Sequence, residues 1–587
     1  MSTKLYAKSC VDGHGGGPLA GGVNDMRETT EHGYIPVLKQ QLTDHRIDRR
    51  EFLRSATLLG MTASAAYAFA GKLTGGDLVA PAQAQTALPK GGTLRIGMRC
   101  HELVNPHTFS WVEASNSGRQ HFDYLTVTGA DNVTRPALVE KWEAAEDLKS
   151  WTLHLRRDVK WHDGRPFTAD DVVWNLKRVM DPKTGSSVLG LMKSFLMEDF
   201  ETGEKDDKGV MKKSSRLWDA NAIQKVDDFT VKLNGKAANL AVPEQLYHYP
   251  LLILDPKDNG VFKIGANGTG PFMLAENEVS RKQVFKANKN YWGGAPSLDQ
   301  VEFIDLGDDP AAAISALASK QVDGIYLADP AQLDALKQLP HLQLHQVITA
   351  YTATARMHPD KPFDDKRVRQ AMRYAVDSET ILKISHKGLG AAGEHHHVSP
   401  VHPEYAKVTP QLRDVAKAKK LLADAGHPNG IDVEIAARSS DSAAWEVVAV
   451  QAMVEQWKEA GIRVKINVMP STQYWEVWQK LPFAFTTWAH RPLGVMTYSL
   501  AYRTGGVWNE SSYSNPEFDK LLVEAEGTLE VEKRRAIMAK LEQIMLEDGP
   551  VIQPVWRALF TFMDKRVQGF KMHPTGYINA RELAIGA

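Results

Sequence analysis

Apolar residues recur at every second position in WTLHLRRDVKWHDG, at Trp151, Leu153 and Leu155 and again at Val159 and Trp161, with His162-Asp163-Gly164 as a turn. That period predicts two half-buried antiparallel strands. GGTLRIGM (91–98) and VDDFTVKLNG (226–235) each predict another strand, the second closing on an Asn-Gly turn. GTGPFMLAENE (268–278) and the run after the aromatic turn NYWGG predict two more. The period lengthens in FTADDVVWNLKRVM. Thr168 and Asp171 hold capping-box positions there, and Val172, Leu176 and Val179 line one helical face. Past Val347 helices dominate. PFDDKRVRQAMRYAV is capped by Asp364 or Asp365 and buries a stripe of Val368, Ala371, Met372, Ala375 and Val376. AKAKKLLADAG closes on Gly426; WEVVAVQAMVEQWKEAGI closes on Gly461 and feeds the strand RVKINVM. The last long helix, VEKRRAIMAKLEQIMLEDG, leads into the strand-like PVIQPVWRALFTFM. Helix, glycine and strand in succession read as α/β.

The segment from Asp48, DRREFLRSATLLGMTASAAYAFAG, has a different texture. Arg49 and Arg50 precede Phe52-Leu53, a basic Arg54 and a mild apolar run, and then comes APAQAQ. The run is too short and too mild for a span of about 20 strongly apolar residues. The order of its parts resembles a twin-arginine export signal, with Ala82 and Ala84 forming an A-x-A cleavage site. Residues 1–84 are therefore expected to be leader and signal, cut after Ala84, with the Gly-rich, polar stretch from Met1 to Ile47 disordered.

Composition narrows the function classes. Hydrophobic residues make up 43%, charged residues 24%, and the formal net charge is -1, so no polyanion-binding surface is implied and no nucleic-acid partner is expected. Cys10 and Cys100 are the only cysteines, and Cys10 lies in the leader, so the remaining chain has one thiol and no internal disulfide.

WTLHLRRDVKWHDGRPFTADDVVW, NGTGPFML, NYWGG, PFDDKRVRQAM and YSNPEFDKLL follow one another in an order that resembles the peptide/nickel-type extracellular solute-binding proteins, family 5. The resemblance implies the capture subunit of an ABC importer in the periplasm. It implies a two-lobe α/β periplasmic-binding fold of the large, three-subdomain variety (type II), with a cleft that closes by hinge motion. Carried onto this chain, lobe one is 88–346, with an extra subdomain at 131–264, and is completed by 550–587; lobe two is 347–549. The implied partners are a small-molecule ligand, peptide-like or anionic, the permease subunits in the inner membrane and, during export, the twin-arginine translocase. A monomer without cofactor is expected.

Peptide-binding relatives commonly place an Asp shortly after a Gly-Trp pair in lobe two, to hold the peptide's amino group. The matching stretch is FTTWAHRPLGVM: Trp488 is kept, Ala489, His490, Arg491 and Pro492 follow, and no carboxylate comes within ten residues. A guanidinium fork at Arg491 suits carboxylate or phosphate, so the expected ligand carries an anionic group or lacks a free amine. Further ligand-binding candidates are Arg438 at a strand end bordering the crevice, Tyr474 and Trp475 as stacking walls or as a helix seated in the core, and Arg356 just past the hinge. His101 and Glu102 follow the first strand and are placed within reach of the cleft.

His395, His396 and His397 beside Glu394 are chemically able to bind metal, but adjacent residues of an extended segment alternate sides; no metal site is assigned, and the cluster is read as lining the cleft mouth. The competing class is a periplasmic hydrolase, or a chaperone or sensor on the same fold. Neither a Gly-x-Ser-x-Gly elbow nor an HExxH motif is present, and Cys100 sits in an unfamiliar MRCHEL setting. No catalytic residue is assigned and the chain is read as a binder rather than an enzyme.

Overall fold

A long mixed sheet organises the chain. Its main strands are β1 (Thr93–Gly97), β2 (Phe272–Glu278), β3 (Lys282–Ala287), β4 (Gln300–Ile304), β5 (Gly324–Ile325), β6 (Leu342–Met357), β7 (Ile431–Ser439), β8 (Ile462–Pro470), β9 (Phe483–Trp488) and β10 (Val555–Asp564). They lie in the order β2-β3-β4-β1-β5-β10-β6-β9-β7-β8, in a sheet of 12 strands. The computed structural model describes residues 31–74, 88–205, 211–409, 411–439 and 444–586. The expected cut after Ala84 falls outside the described residues.

β6 and β10 join the two ends of the sheet. They pair antiparallel from Leu342↔Asp564 to Thr352↔Trp556, with a register shift between Ile348 and Tyr351. Helices bury their apolar stripes on either side. Val368, Ala371 and Met372 of helix Lys366–Tyr374 join Trp445, Trp457 and Phe485 in one core. Leu317, Leu333 and Phe562 belong to another. Thr168 and Asp171 form the expected capping box at the start of helix Ala169–Met180. Gly549 ends helix Val531–Asp548 at φ 60, a left-handed value that glycine adopts without strain. No helix among the described residues is long and apolar enough to cross a membrane.

Three local expectations are corrected. VDDFTVKLNG is not one strand: Ile223–Asp227 and Thr230–Asn234 form a hairpin, because Asp227 turns the chain by accepting from the Phe229 N–H at 2.7 Å. Val159–Trp161 contributes only an isolated bridge, Lys160↔Pro166. The stretch before Asp48 is not uniformly disordered, since Ile35–Thr43 is a helix with Ile35, Leu38 and Leu42 buried.

The twin-arginine segment itself folds as helices Arg49–Leu58 and Ala63–Thr74, turned at Gly60 (φ 93). The first is capped by Asp48, which accepts from the Glu51 N–H. Phe52, Leu53 and Leu58 are buried, each worth about 1.5–3 kcal/mol of apolar transfer.

Candidate functional site

β9 ends at Trp488, opposite Thr352 of β6, and the loop that follows carries His490 and Arg491. Both imidazoles around this loop work as braces. His490 Nδ1 accepts the Ala350 N–H at 3.0 Å, which puts its proton on Nε2 to meet Asn132 Oδ1 at 3.1 Å. His402 Nδ1 accepts from the Ser399 N–H, and its Nε2 donates to the Arg491 carbonyl at 3.1 Å. Burial first, then the nearby His402, His573 and Arg491, hold His490 well below the usual imidazole range, so it stays neutral.

The Arg491 side chain is only 4% exposed. One terminal nitrogen donates to its own loop, to the Ala489 and His490 carbonyls at 3.0 Å each. Its guanidinium carbon lies 5.1 Å from the centre of the Tyr249 ring, and Nε is buried without a partner. Tyr249 comes from a segment more than two hundred residues earlier. Tyr247, His248, Tyr577 and Glu244 line the same small void, about 20 Å³, beside Arg491.

Around Trp488 lies a continuous aromatic wall. Trp488, Trp478 and Trp508 meet edge to face at 6.0 to 6.4 Å. Trp508 reaches Tyr249 at 5.6 Å and His248 at 5.4 Å. Trp478 meets Trp475 at 5.5 Å, Trp475 meets Trp111 at 6.5 Å, and Trp111 lies on His101 at 4.6 Å. Rings from early and late segments thus share one seam, buried at Trp478, Trp488 and Trp508 and half-buried at Trp111 and Trp475, suited to flat or apolar ligand surfaces with a guanidinium at one end.

Of the sequence-assigned residues, Trp488, His490, Arg491, Trp475 and His101 are at this seam. His101 is buried, and burial followed by Arg99 and Arg438 brings its imidazole down to about 3. Arg438 lies 5.2 Å over the Trp475 ring, but its fork is committed: Nη2 donates to Glu446 Oε1 at 2.5 Å. Burial opposes its charge, and Glu446 raises its pKa regardless.

Two assignments need correction. Arg356 is fully buried. It pairs with Glu510 at 2.9 Å and donates to the Leu481 and Trp478 carbonyls, so each of its three nitrogens braces the fold. Tyr474 is fully buried, with its hydroxyl on Phe485 O and Thr486 Oγ1; it belongs to the core, not to a stacking wall. Glu102, beside the buried His101, is exposed.

The histidine triplet is no surface loop. His395, His396 and His397 are 3%, 0% and 1% exposed. His395 accepts from the Gln553 N–H, and His397 Nδ1 shares a 2.6 Å hydrogen bond with Tyr502 while its ring meets Trp488 at 5.6 Å. His397 therefore backs the aromatic wall from behind. Cys100 is buried too, and burial pushes its thiol up to about 12, which leaves no thiolate for nucleophilic work.

Sequence reasoning missed Tyr249, Trp508, Trp111 and Glu510. Glu510 is buried and accepts from both Arg356 and Trp488 Nε1, the latter at 2.7 Å. Its only sequence signal is an acid two residues after Trp508.

The profile of bacterial extracellular solute-binding proteins, family 5 Middle, matches residues 133–510. The chain is 27% identical over 476 residues to heme-binding protein A of Haemophilus influenzae, covering 75% of this chain and 82% of that one. It is 26% identical over 491 residues to the dipeptide-binding protein DppE of Bacillus subtilis, covering 80% and 87%. The periplasmic binding protein DppA of Helicobacter pylori, solved with the peptide STSA, superposes with a TM-score of 0.73 at 20% identity, over 85% of this chain and 99% of that one.

Proposed function

The chain belongs to the bacterial extracellular solute-binding proteins, family 5, and is the periplasmic solute-binding component of an ABC importer; we propose that its solute carries an anionic group held by Arg491. The observation that carries this reading is a buried guanidinium on a braced loop with no carboxylate partner among the described residues. A buried cation without a counter-charge is costly, and a ligand carboxylate or phosphate would repay that cost. Heme-binding and dipeptide-binding relatives both suit a cleft walled by tryptophans.

The remaining organisation belongs to the same proposal. Lobe one is 88–346, with an extra subdomain at 131–264 and a return at 550–587; lobe two is 347–549. β6 and β10 are the hinge strands, and their register shift near Ile348 is where the two lobes would flex. The leader is cut after Ala84 following twin-arginine export, and the released protein works as a monomer beside the permease.

Mass spectrometry of whatever co-purifies with the folded protein tests the ligand class. An anionic solute that is released unchanged is expected. Tight binding of ordinary di- and tripeptides with a free amino terminus, insensitive to Arg491, overturns the anion reading.

A further inference from the structure

Glu51 and Arg54 are three residues apart on helix Arg49–Leu58, so both reach the body from one helical face. Arg54 is 3% exposed. Its Nε donates to Glu244 Oε1 at 3.0 Å, and Glu244 lines the void beside Arg491. Glu51 accepts from Arg54 Nη1 at 3.4 Å within the helix, and its carboxylate also lies 3.7 Å from Arg534 Nη2 on helix Val531–Asp548. A hydrogen bond from Trp142 Nε1 to the Leu58 carbonyl, at 2.9 Å, fixes the end of the helix. Glu244 and Trp142 precede β6 in the chain, whereas Arg534 follows it. One helix thus spans the two sides of the cleft.

The same contact closes the cleft's edge. A cavity of about 310 Å³ beneath the helix is lined by Arg46, Arg50 and Arg54 on one side and by His402, Pro492 and Arg535 on the other. Pro492 is the neighbour of Arg491, and His402 holds the Arg491 carbonyl. Glu244 is itself a stressed group: one carboxylate oxygen has no partner, and burial pushes its carboxyl up to about 7 even with Arg54 pulling it back. Taking Arg54 away would leave a buried carboxylate without a cation and favour water entering that edge.

We propose that helix Arg49–Leu58 is an intramolecular strap: while attached it holds the cleft closed through Arg54 on one side and Glu51 on the other, and its removal permits opening and solute capture. The proposal rests on the two-lobed capture reading above. It makes the leader more than an address, since the unprocessed chain would be a closed, non-capturing form.

The test uses the full chain with a protease site inserted between Thr74 and Leu88, in a Cys10→Ser background. Spin labels go on Lys286→Cys and Lys465→Cys, at exposed positions toward opposite ends of the sheet. The uncleaved chain is expected to give one short, narrow distance. Cleavage and removal of the leader fragment should shift the distribution to longer distances, and Arg54→Glu should do so without cleavage. Arg54→Lys should keep the short distance. Because Arg54→Glu alters only the leader, its cleaved product must match the cleaved parent, which shows that the body has folded. Identical distances before and after cleavage, or an Arg54→Glu chain that stays short, overturn the strap. A cleaved chain that opens yet retains no solute supports the strap and overturns the capture reading.

Discussion

The guanidinium of Arg491 lies 5.1 Å over the ring of Tyr249, a residue from the opposite side of the aromatic seam, with no carboxylate paired to it among the described residues. A cation held against a π face rather than a counter-charge retains most of its capacity to bind an anion.

Truncating that cation should therefore be costly for binding and mild for folding. Arg491→Ala is expected to weaken the co-purified ligand by about 2–5 kcal/mol, because the ligand's charge would be buried unpaired. Arg491→Lys should recover only part, since the planar fork is lost. Titration calorimetry on the ligand-stripped protein measures both. An unchanged Kd in Arg491→Ala removes Arg491 from the site.

Arg356 should behave in the opposite way. Arg356→Met leaves Glu510 buried without its cation, and a loss of about 3–5 kcal/mol in stability is expected. Glu510→Gln keeps an acceptor for Trp488 Nε1 and removes the demand for a cation, so the double variant should regain part of the loss. Denaturant unfolding of the singles and the double gives the coupling. Additive losses would show that the pair is not a unit.

The histidine triplet is structural. His397→Ala strands the Tyr502 hydroxyl in the interior, and about 1–3 kcal/mol of stability should be lost. Replacing all three histidines should lower Tm further, through the cavities that three buried rings would leave. Thermal melts check this. A triple variant that melts like the parent would contradict the burial described above.

Acid should destabilise the protein through its buried imidazoles. Burial, as the leading cause, brings His101, His107, His395 and His397 down to about 3 and His402 and His573 to about 4, against 6.5 for a free imidazole. Between those values the unfolded chain binds more protons than the folded one. Stability is thus lost as pH falls below 6.5, by about 1.4 kcal/mol per pH unit for each group. Glu542 works on the other side: burial pushes its carboxyl up to about 9, so its contribution is lost as pH rises from 4.5 toward 9. A dome in Tm with a steep limb between pH 6.5 and 4 is expected. A flat profile across that window would mean these imidazoles are wet.

Much of the scaffold was legible because its signals are local. Thr168 with Asp171, Gly549 after a long helix, and the stripe through Val368 and Met372 each depend on neighbours within one or two turns. VDDFTVKLNG misled because its alternation runs on through a turn made by Asp227, whose side chain bonds the backbone two residues ahead. The site was legible only on one side. Trp488 and Arg491 stand together in sequence, so their loop was visible. Tyr249 and Trp111 arrive from distant segments, and nothing beside them in the chain marks them as its partners. Arg356 was misplaced for the same reason: its partner Glu510 lies 154 residues away, and burial is a property of the fold.

The tryptophan seam also has an optical consequence. Indoles whose centres lie 5.5 to 6.5 Å apart share electronic excitation, so Trp475, Trp478, Trp488 and Trp508 absorb and emit as a coupled chromophore. Trp111, from a segment far earlier in the chain, joins it at 6.5 Å. Parting Trp111 from Trp475 would break the array at that link, changing both near-ultraviolet ellipticity and emission colour. If the proposed lobes part along this seam, the protein carries a built-in, dye-free gauge of that motion, readable in a cuvette without knowing which solute is bound.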